Sequence, residues 1–449
     1  MAEARATAPT IGIDGYNLAL PHGTGVATYG RALAETLRGN GHRIEGMFGI
    51  DAGRDPAMRE IAFFDRFGRL ASPAEQARDL RRAWLAGTRP LLRARAVEIP
   101  AAGRVATAAL AERMPRFDRI VSSPLLFRIA HRHFALYRRF LPLTITDPPP
   151  IMHWTYPVPV RLVGAANIYT FHDIVPLKLP YAALNIDKRR YRALLRGCVA
   201  HAAAICTISE ASRRDILAEL EIAPERLVNC YQAVPGGPAA EMSEAAHRGL
   251  AERLFRLPEH GYFLFFGAIE PKKNVGRLLE AFLSLDTATP LVLVGTAGWQ
   301  SEQELALIAD RGGGPARAAA LERRVIRFDH LPRHLLARLI GAARAVAFPS
   351  LYEGFGLPIL EAMQAGTPVL TSNLGATAEI AGGAAVLVDP YDARAIAEGL
   401  RRLDDDVDLR ARLSDAGTAR ARDFSQAAFA ARLETLYGQA LAPTRESSR

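Results

Sequence analysis

The chain has 449 residues, 49% of them hydrophobic and 23% charged, the balance of a folded soluble protein. That length is too great for one core and fits two domains of roughly 200 residues each. Cys198, Cys206 and Cys230 show neither metal-ligand spacing nor a disulfide framework and are expected to pack as small buried residues. No apolar run approaches the ~18–20 residues that span a bilayer, and the N-terminus lacks a signal-peptide core. The expected location is cytoplasmic, with peripheral attachment at the inner membrane face left open.

The formal charge of +9 is concentrated in one stretch. Between Arg54 and Phe140 there are eighteen arginines, no lysine and eight acids, so the remainder is close to neutral. Phe63, Phe64, Phe67, Trp84, Leu91 and Leu92 interleave with these arginines, as on an interfacial amphipathic helix. A solvated helical face in an arginine-biased chain explains the same pattern. Nucleic acid is a poorer partner, because no recognition signature accompanies the charge.

In chain order, a strand at Thr10–Asp14 leads through a loop containing Gly23-Thr24-Gly25 into a helix at Ala27–Arg38 and a strand at Arg43–Ile50. Residues 54–140 read as helical. Strands follow at Ile151–Trp154, Asn167–Phe171, Ala203–Ile208 and Leu227–Tyr231. The Pro/Gly run Val234–Pro238 opens a linker, placed at 236–258. Beyond it strands and helices alternate again: Tyr262–Phe266, Val275–Leu283, Leu291–Val294, Ser301–Asp310, Arg324–Phe328, Arg333–Ala342, Ala345–Phe348, Pro358–Ala365, Pro368–Thr371, Ala385–Val388 and Ala393–Leu403. Asp404-Asp405-Asp406 reads as a solvated turn. The fold class is therefore α/β, with two doubly wound, Rossmann-like parallel sheets facing across a cleft. The domains are 1–235 and 259–422, followed by a helix at 423–441 and a disordered tail at 442–449.

The run Glu353-Gly354-Phe355-Gly356-Leu357-Pro358-Ile359-Leu360-Glu361 carries the most chemistry. An apolar strand precedes it, Pro358 suits the first helical position, and Gly366 stops the helix. Free backbone N–H groups near Gly356 and Leu357 make an anion site, with Glu353 in the loop and Glu361 a turn inside. Two solvated surface acids are the plain alternative. Lys272 and Lys273 lie at another helix start, where paired cations oppose the dipole unless an anion sits nearby. His172 ends a strand, next to Asp173. Thr207-Ile208-Ser209-Glu210 ends another, where Ser209 either lines the cleft or caps the next helix. Gly295–Trp299, which follows a strand, is expected to shape the ligand pocket, and Ser372–Gly375, Glu379 and Val388–Pro390 to serve the architecture. No D-x-D pair sits at a strand end, so no metal is expected.

The spacing Glu353–Glu361 resembles the E-x7-E motif of retaining GT-B glycosyltransferases of family 4, which includes many bacterial mannosyltransferases. The resemblance is specific over Ala345–Asp389 and patchier elsewhere. It implies a nucleotide-sugar donor in the C-terminal domain and an acceptor on the N-terminal side. By the same resemblance Glu361 holds the ribose, Glu353 the donor sugar, and Lys272 and Lys273 the diphosphate. Gly354, Phe355, Gly356 and Leu357 line that donor, Gly25 approaches it from the first glycine-rich loop, and His172 orients the sugar. The arginine the family carries after the glycine is Ala268 here. GDP-mannose is the first donor expected, UDP-glucose the second, with no cofactor beyond the nucleotide sugar. A saccharide, free or on a polyprenyl diphosphate, is the expected acceptor. A UDP-sugar epimerase of the same fold, a non-catalytic nucleotide-sugar-binding subunit and a dinucleotide oxidoreductase are the alternatives. The last is disfavoured because Gly23-Thr24-Gly25 begins nine residues after Asp14 and never completes G-x-G-x-x-G.

Overall fold

The computed structural model describes residues 8–20, 25–107, 110, 113–179, 187–234, 250–309 and 314–442. Its first half opens with β1 (Ile11–Asp14), α1 (Gly25–Gly39), β2 (Ile44–Phe48), α2 (Arg59–Arg66) and α3 (Pro73–Gly87). There follow β3 (Val97–Ile99), β4 (Arg119–Ser122), α4 (Leu126–Tyr137), β5 (Ile151–Trp154) and β6 (Ala166–Phe171). The last elements of this half are α5 (Lys188–His201), β7 (Ala204–Thr207), α6 (Glu210–Glu219) and β8 (Leu227–Asn229). These strands form one eight-stranded sheet in the order β8-β7-β6-β5-β1-β2-β4-β3, parallel except for β3 against β4. Ile11, Ile13, Ile151 and Ile168 are completely buried in it, as strands covered on both faces require.

The second half contains β9 (Phe263–Phe266), α7 (Val275–Leu283), β10 (Leu291–Val294), β11 (Val325–Phe328), α8 (Arg333–Ala342) and β12 (Ala345–Phe348). It continues with α9 (Leu357–Gln364), β13 (Val369–Ser372), α10 (Gly375–Ala381), β14 (Val386–Val388), α11 (Ala393–Asp405) and α12 (Val407–Ala421). Its six strands run β11-β10-β9-β12-β13-β14, all parallel. Numbered within this half, that is the order 3-2-1-4-5-6, whose chain reversal lies between β9 and β12. The fold class expected from the sequence is what the structure has.

The final helix, α13 (Gln426–Leu441), leaves the second half and packs on α1, β5, β6 and β7 of the first. Tyr437 is buried there, with its hydroxyl 2.8 Å from Nδ1 of His153, and Glu434 lies 2.6 Å from Nε2 of His42. All three cysteines are free and buried.

Several sequence expectations need correction. Residues 54–140 are not helical throughout, since β3 and β4 join the sheet; β3 is only three residues long and β4 opens on a charged arginine. That arginine, Arg119, binds Glu45 and Glu98. The helix expected at Ser301–Asp310 breaks at Leu305 into two single turns. Of the expected solvated turn, Asp404 and Asp405 instead close α11: the Asp404 carboxylate accepts hydrogen bonds from Thr287 and Thr289 and pairs with Arg344, whereas Asp405 and Asp406 are exposed and Asp406 caps α12, a helix absent from the sequence expectations. Gly23, Thr24, residues 235–249 of the linker region and residues 443–449 of the tail lie outside the described residues.

Candidate active site

In an open α/β sheet, ligands bind outside the carboxyl ends of the strands where the chain order reverses. At that point of the second half, β9 runs into Gly267 and a single turn at Pro271–Lys273, and Asn274 adopts a left-handed conformation at φ 62°. The Asn274 amide donates to the carbonyls of Pro349 (3.0 Å) and Pro390 (2.7 Å), tying this loop to the one that follows β12. The tie brings Lys273 Nζ to 2.5 Å from Glu353 Oε1, with the side chains only 13% and 10% exposed. The same ammonium lies 5.0 Å from the ring centre of Phe348. Lys272 Nζ pairs with Glu270 at 3.3 Å. Burial opposes its charge, but the carboxylates of Glu353, Glu270 and Asp173 outweigh burial and raise its pKa.

The loop after β12 continues from Glu353 to Gly356, whose φ of 120° admits only glycine comfortably. Helix α9 starts at Leu357 with no side-chain cap, and Pro358 is its second residue rather than the expected first. The N–H groups of Gly356 and Leu357 have no acceptor among the described residues. Glu361, one turn on, is half-buried and has no hydrogen-bonded side-chain partner among them. Burial pushes its carboxyl up to about 7, opposed by the Arg333 charge.

The facing wall comes from the first sheet, whose chain reversal lies between β1 and β5. Asp14 is completely buried at the end of β1 and accepts the N–H groups of Thr155 and Tyr16 (3.0 Å). Burial raises its pKa against those two bonds. The Thr155 carbonyl lies 2.8 Å from Nε2 of His172. A carbonyl only accepts, so Nε2 carries the proton and Nδ1 presents a lone pair. Burial lowers the His172 pKa, against the Thr155 carbonyl and the Asp173 charge, and keeps the ring neutral near pH 7. The walls touch at Gly354, where an added Cβ would lie 2.6 Å from the His172 carbonyl oxygen and 3.1 Å from Asp173 Cβ. The arrangement is a cleft with two cations and free N–H groups on one side and a neutral imidazole on the other.

Residues 252–420 match the family model described as glycosyl transferases group 1. The O-antigen chain mannosyltransferase B of Escherichia coli is 34% identical over 277 residues, covering 60% of this chain and 68% of that protein. This chain is a member of that glycosyltransferase family. The MMP α-(1→4)-mannosyltransferase of Mycolicibacterium hassiacum is 31% identical over 247 residues, 53% of this chain and 54% of that one. Among solved structures, the sucrose-phosphate synthase of Thermosynechococcus elongatus superposes with a TM-score of 0.63 at 18% identity, covering 96% of this chain and 99% of the other. Anabaena HepE in complex with UDP and glucose gives 0.62 at 15% identity, covering 96% and 100%. The fold is GT-B.

In this glycosyltransferase the expected residues divide into two groups. Lys272, Lys273, Glu353, Gly356, Leu357 and Glu361 gather along one side of the cleft, and His172 lies opposite. Gly25 begins α1, and among the described residues outside its own helix and chain neighbours no atom lies within 4 Å of where a Cβ would be. Phe355 is 3% exposed, its ring centre 5.7 Å from that of Phe424 and 6.4 Å from that of Tyr231, so its ring packs between the halves. Gly354 fills the contact with His172, and its carbonyl lies 2.8 Å from Ser209 Oγ. Of the two roles considered for it, Ser209 shows the capping one, accepting the N–H of Ser212 at 3.0 Å at the start of α6, and it is completely buried. The sequence reading missed Asp14, Thr155 and Tyr352. Asp14, an acid closing the apolar strand Ile11-Gly12-Ile13, was the legible signal of the three. No cluster of three or more His, Cys, Asp or Glu placed to hold a metal ion occurs among the described residues.

Proposed function

We propose that this glycosyltransferase is a retaining hexosyltransferase that moves mannose from GDP-mannose to a saccharide or lipid-linked saccharide during cell-surface polysaccharide assembly. The observation that carries this reading is the Lys273–Glu353 pair beside the uncapped N–H groups of Gly356 and Leu357, opposite a neutral His172. An ammonium has three donors and Glu353 takes one, so Lys273 keeps the others for a diphosphate. With Lys272 and the helix N-terminus it stabilises the negative charge that grows on the leaving group. The Glu353 carboxylate accepts from donor-sugar hydroxyls, His172 Nδ1 accepts from another, and Glu361 accepts from the ribose.

The bond from the anomeric carbon to the β-phosphate oxygen breaks while the acceptor hydroxyl bonds to that carbon on the same face. The departing phosphate oxygen takes the acceptor's proton, so no protein carboxylate acts as base. The mannosyltransferase names of the relatives support the sugar. Arginines with exposed Leu80, Trp84, Leu85 and Leu91 on and after α3 support peripheral contact with an anionic membrane carrying the acceptor. The test is proton NMR of a reaction containing GDP-mannose and a mannoside acceptor. The reading requires release of GDP and an α-linked product. A β-linked product, or no transfer from GDP-mannose, contradicts it.

A further inference from the structure

Glu379 lies on α10, in the second half, yet its carboxylate serves the first. Oε1 accepts the N–H of Glu210 at 2.8 Å and Oε2 that of Ala211 at 2.7 Å. These are the first two N–H groups of α6, which no bond inside the helix can satisfy. The third, of Ser212, is taken by Ser209 Oγ. One carboxylate thus completes the cap of a helix that belongs to the other half, where a negative charge is favoured by the helix dipole.

The bonds around this contact either join the same two surfaces or brace one of them. Ser209 Oγ donates to the Gly354 carbonyl, and Ser212 Oγ lies 3.1 Å from it and 3.0 Å from the His172 carbonyl. Tyr352 donates to Asp215 of α6 at 2.8 Å, and Asp215 pairs with Lys178 at 2.7 Å. Arg420 holds Glu379 in place by donating to its backbone carbonyl at 2.8 Å. Helix α6 therefore grips Tyr352 and Gly354, which flank Glu353, and touches the carbonyl of His172. Helix α6 is thus one of the contacts that set the relative position of the Lys273–Glu353 side and the His172 side.

We propose that Glu379 is a positioning residue, a latch that holds the cleft closed by capping α6 from the opposite half. The proposal rests on the glycosyltransferase reading for its kinetic consequence and on geometry alone for its structural one. Because Glu379 touches neither diphosphate-binding lysine, its loss acts on closure and turnover and leaves the donor's own contacts in place.

The experiment compares wild type with Glu379→Gln and Glu379→Ala, and with Tyr352→Phe as a second strap. Amide hydrogen exchange at Glu210 and Ala211, small-angle scattering of the unliganded protein, and turnover of GDP-mannose are read together. The latch predicts lost protection at those two amides and a larger radius of gyration in both Glu379 variants. It also predicts a kcat lower by about tenfold with donor affinity kept, the factor of one charge-assisted hydrogen bond. Tyr352→Phe should shift the same quantities less. Unchanged exchange and scattering in both Glu379 variants would overturn the proposal even if activity fell. If the wild type transfers no mannose, the donor assignment fails while exchange and scattering still judge the latch.

Discussion

Glu361 offers a prediction whose size follows from its surroundings. Its carboxyl is pushed from 4.5 to about 7 by burial. At ~1.36 kcal/mol per unit the shift amounts to about 3 kcal/mol against the ionised form. The sign is fixed by linkage: between the two values the folded state holds the proton more tightly than the unfolded chain, so stability falls as pH rises. Below about 4.5 both states are protonated and the penalty vanishes; above about 7 it is complete. Glu361→Gln removes the charge, so the variant should match wild type near pH 4.5 and exceed it by about 3 kcal/mol near pH 8 in denaturant unfolding. Donor binding should show the reverse dependence, because the ribose hydroxyls need the ionised carboxylate. The ionised fraction drops from about one half at pH 7 to about one tenth at pH 6, so wild-type affinity should weaken about fivefold, and the variant's should stay flat. Parallel stability curves for the two proteins, or the same affinity slope in both, would refute the reasoning.

Other expectations follow from the same geometry. Lys273→Met strands the enclosed Glu353 charge and should cost about 3 kcal/mol in denaturant unfolding, whereas adding Glu353→Gln should recover stability without recovering transfer. Phe355→Ala should cost about 3 kcal/mol by opening the cluster with Tyr231 and Phe424, while calorimetric donor affinity stays near wild type. Flotation with phosphatidylglycerol vesicles should retain the wild-type protein at low salt, release it at high salt, and lose it in Trp84→Ala/Leu91→Ser.

The legible parts of the sequence were those governed by local pattern. β5, α7, β10, α8 and β12 occupy the spans their apolar runs and caps indicated, because buried parallel strands and amphipathic helices write their periods into the chain. The E-x7-E run placed both glutamates and the helix start within one residue. What stayed hidden depends on packing between distant segments. The packing of Phe355 against Phe424 and Tyr231 is invisible from its place in the loop. Glu379 looks architectural until its carboxylate is found on α6, 169 residues away in the chain. The strand β3 was hidden by its length of three residues, and β4 by Arg119, whose partners Glu45 and Glu98 lie on other strands.

The central claim is that the cleft between Lys273, Glu353 and Glu361 holds a sugar nucleotide, and a thermal-shift panel tests it most directly. Wild type, Lys273→Ala and Glu361→Ala would each be melted with GDP-mannose, UDP-glucose, NAD and no ligand. The account predicts a raised midpoint for wild type with GDP-mannose above all others, and loss of that shift in both variants. An equal shift in all three proteins, or a shift with NAD alone, would contradict it.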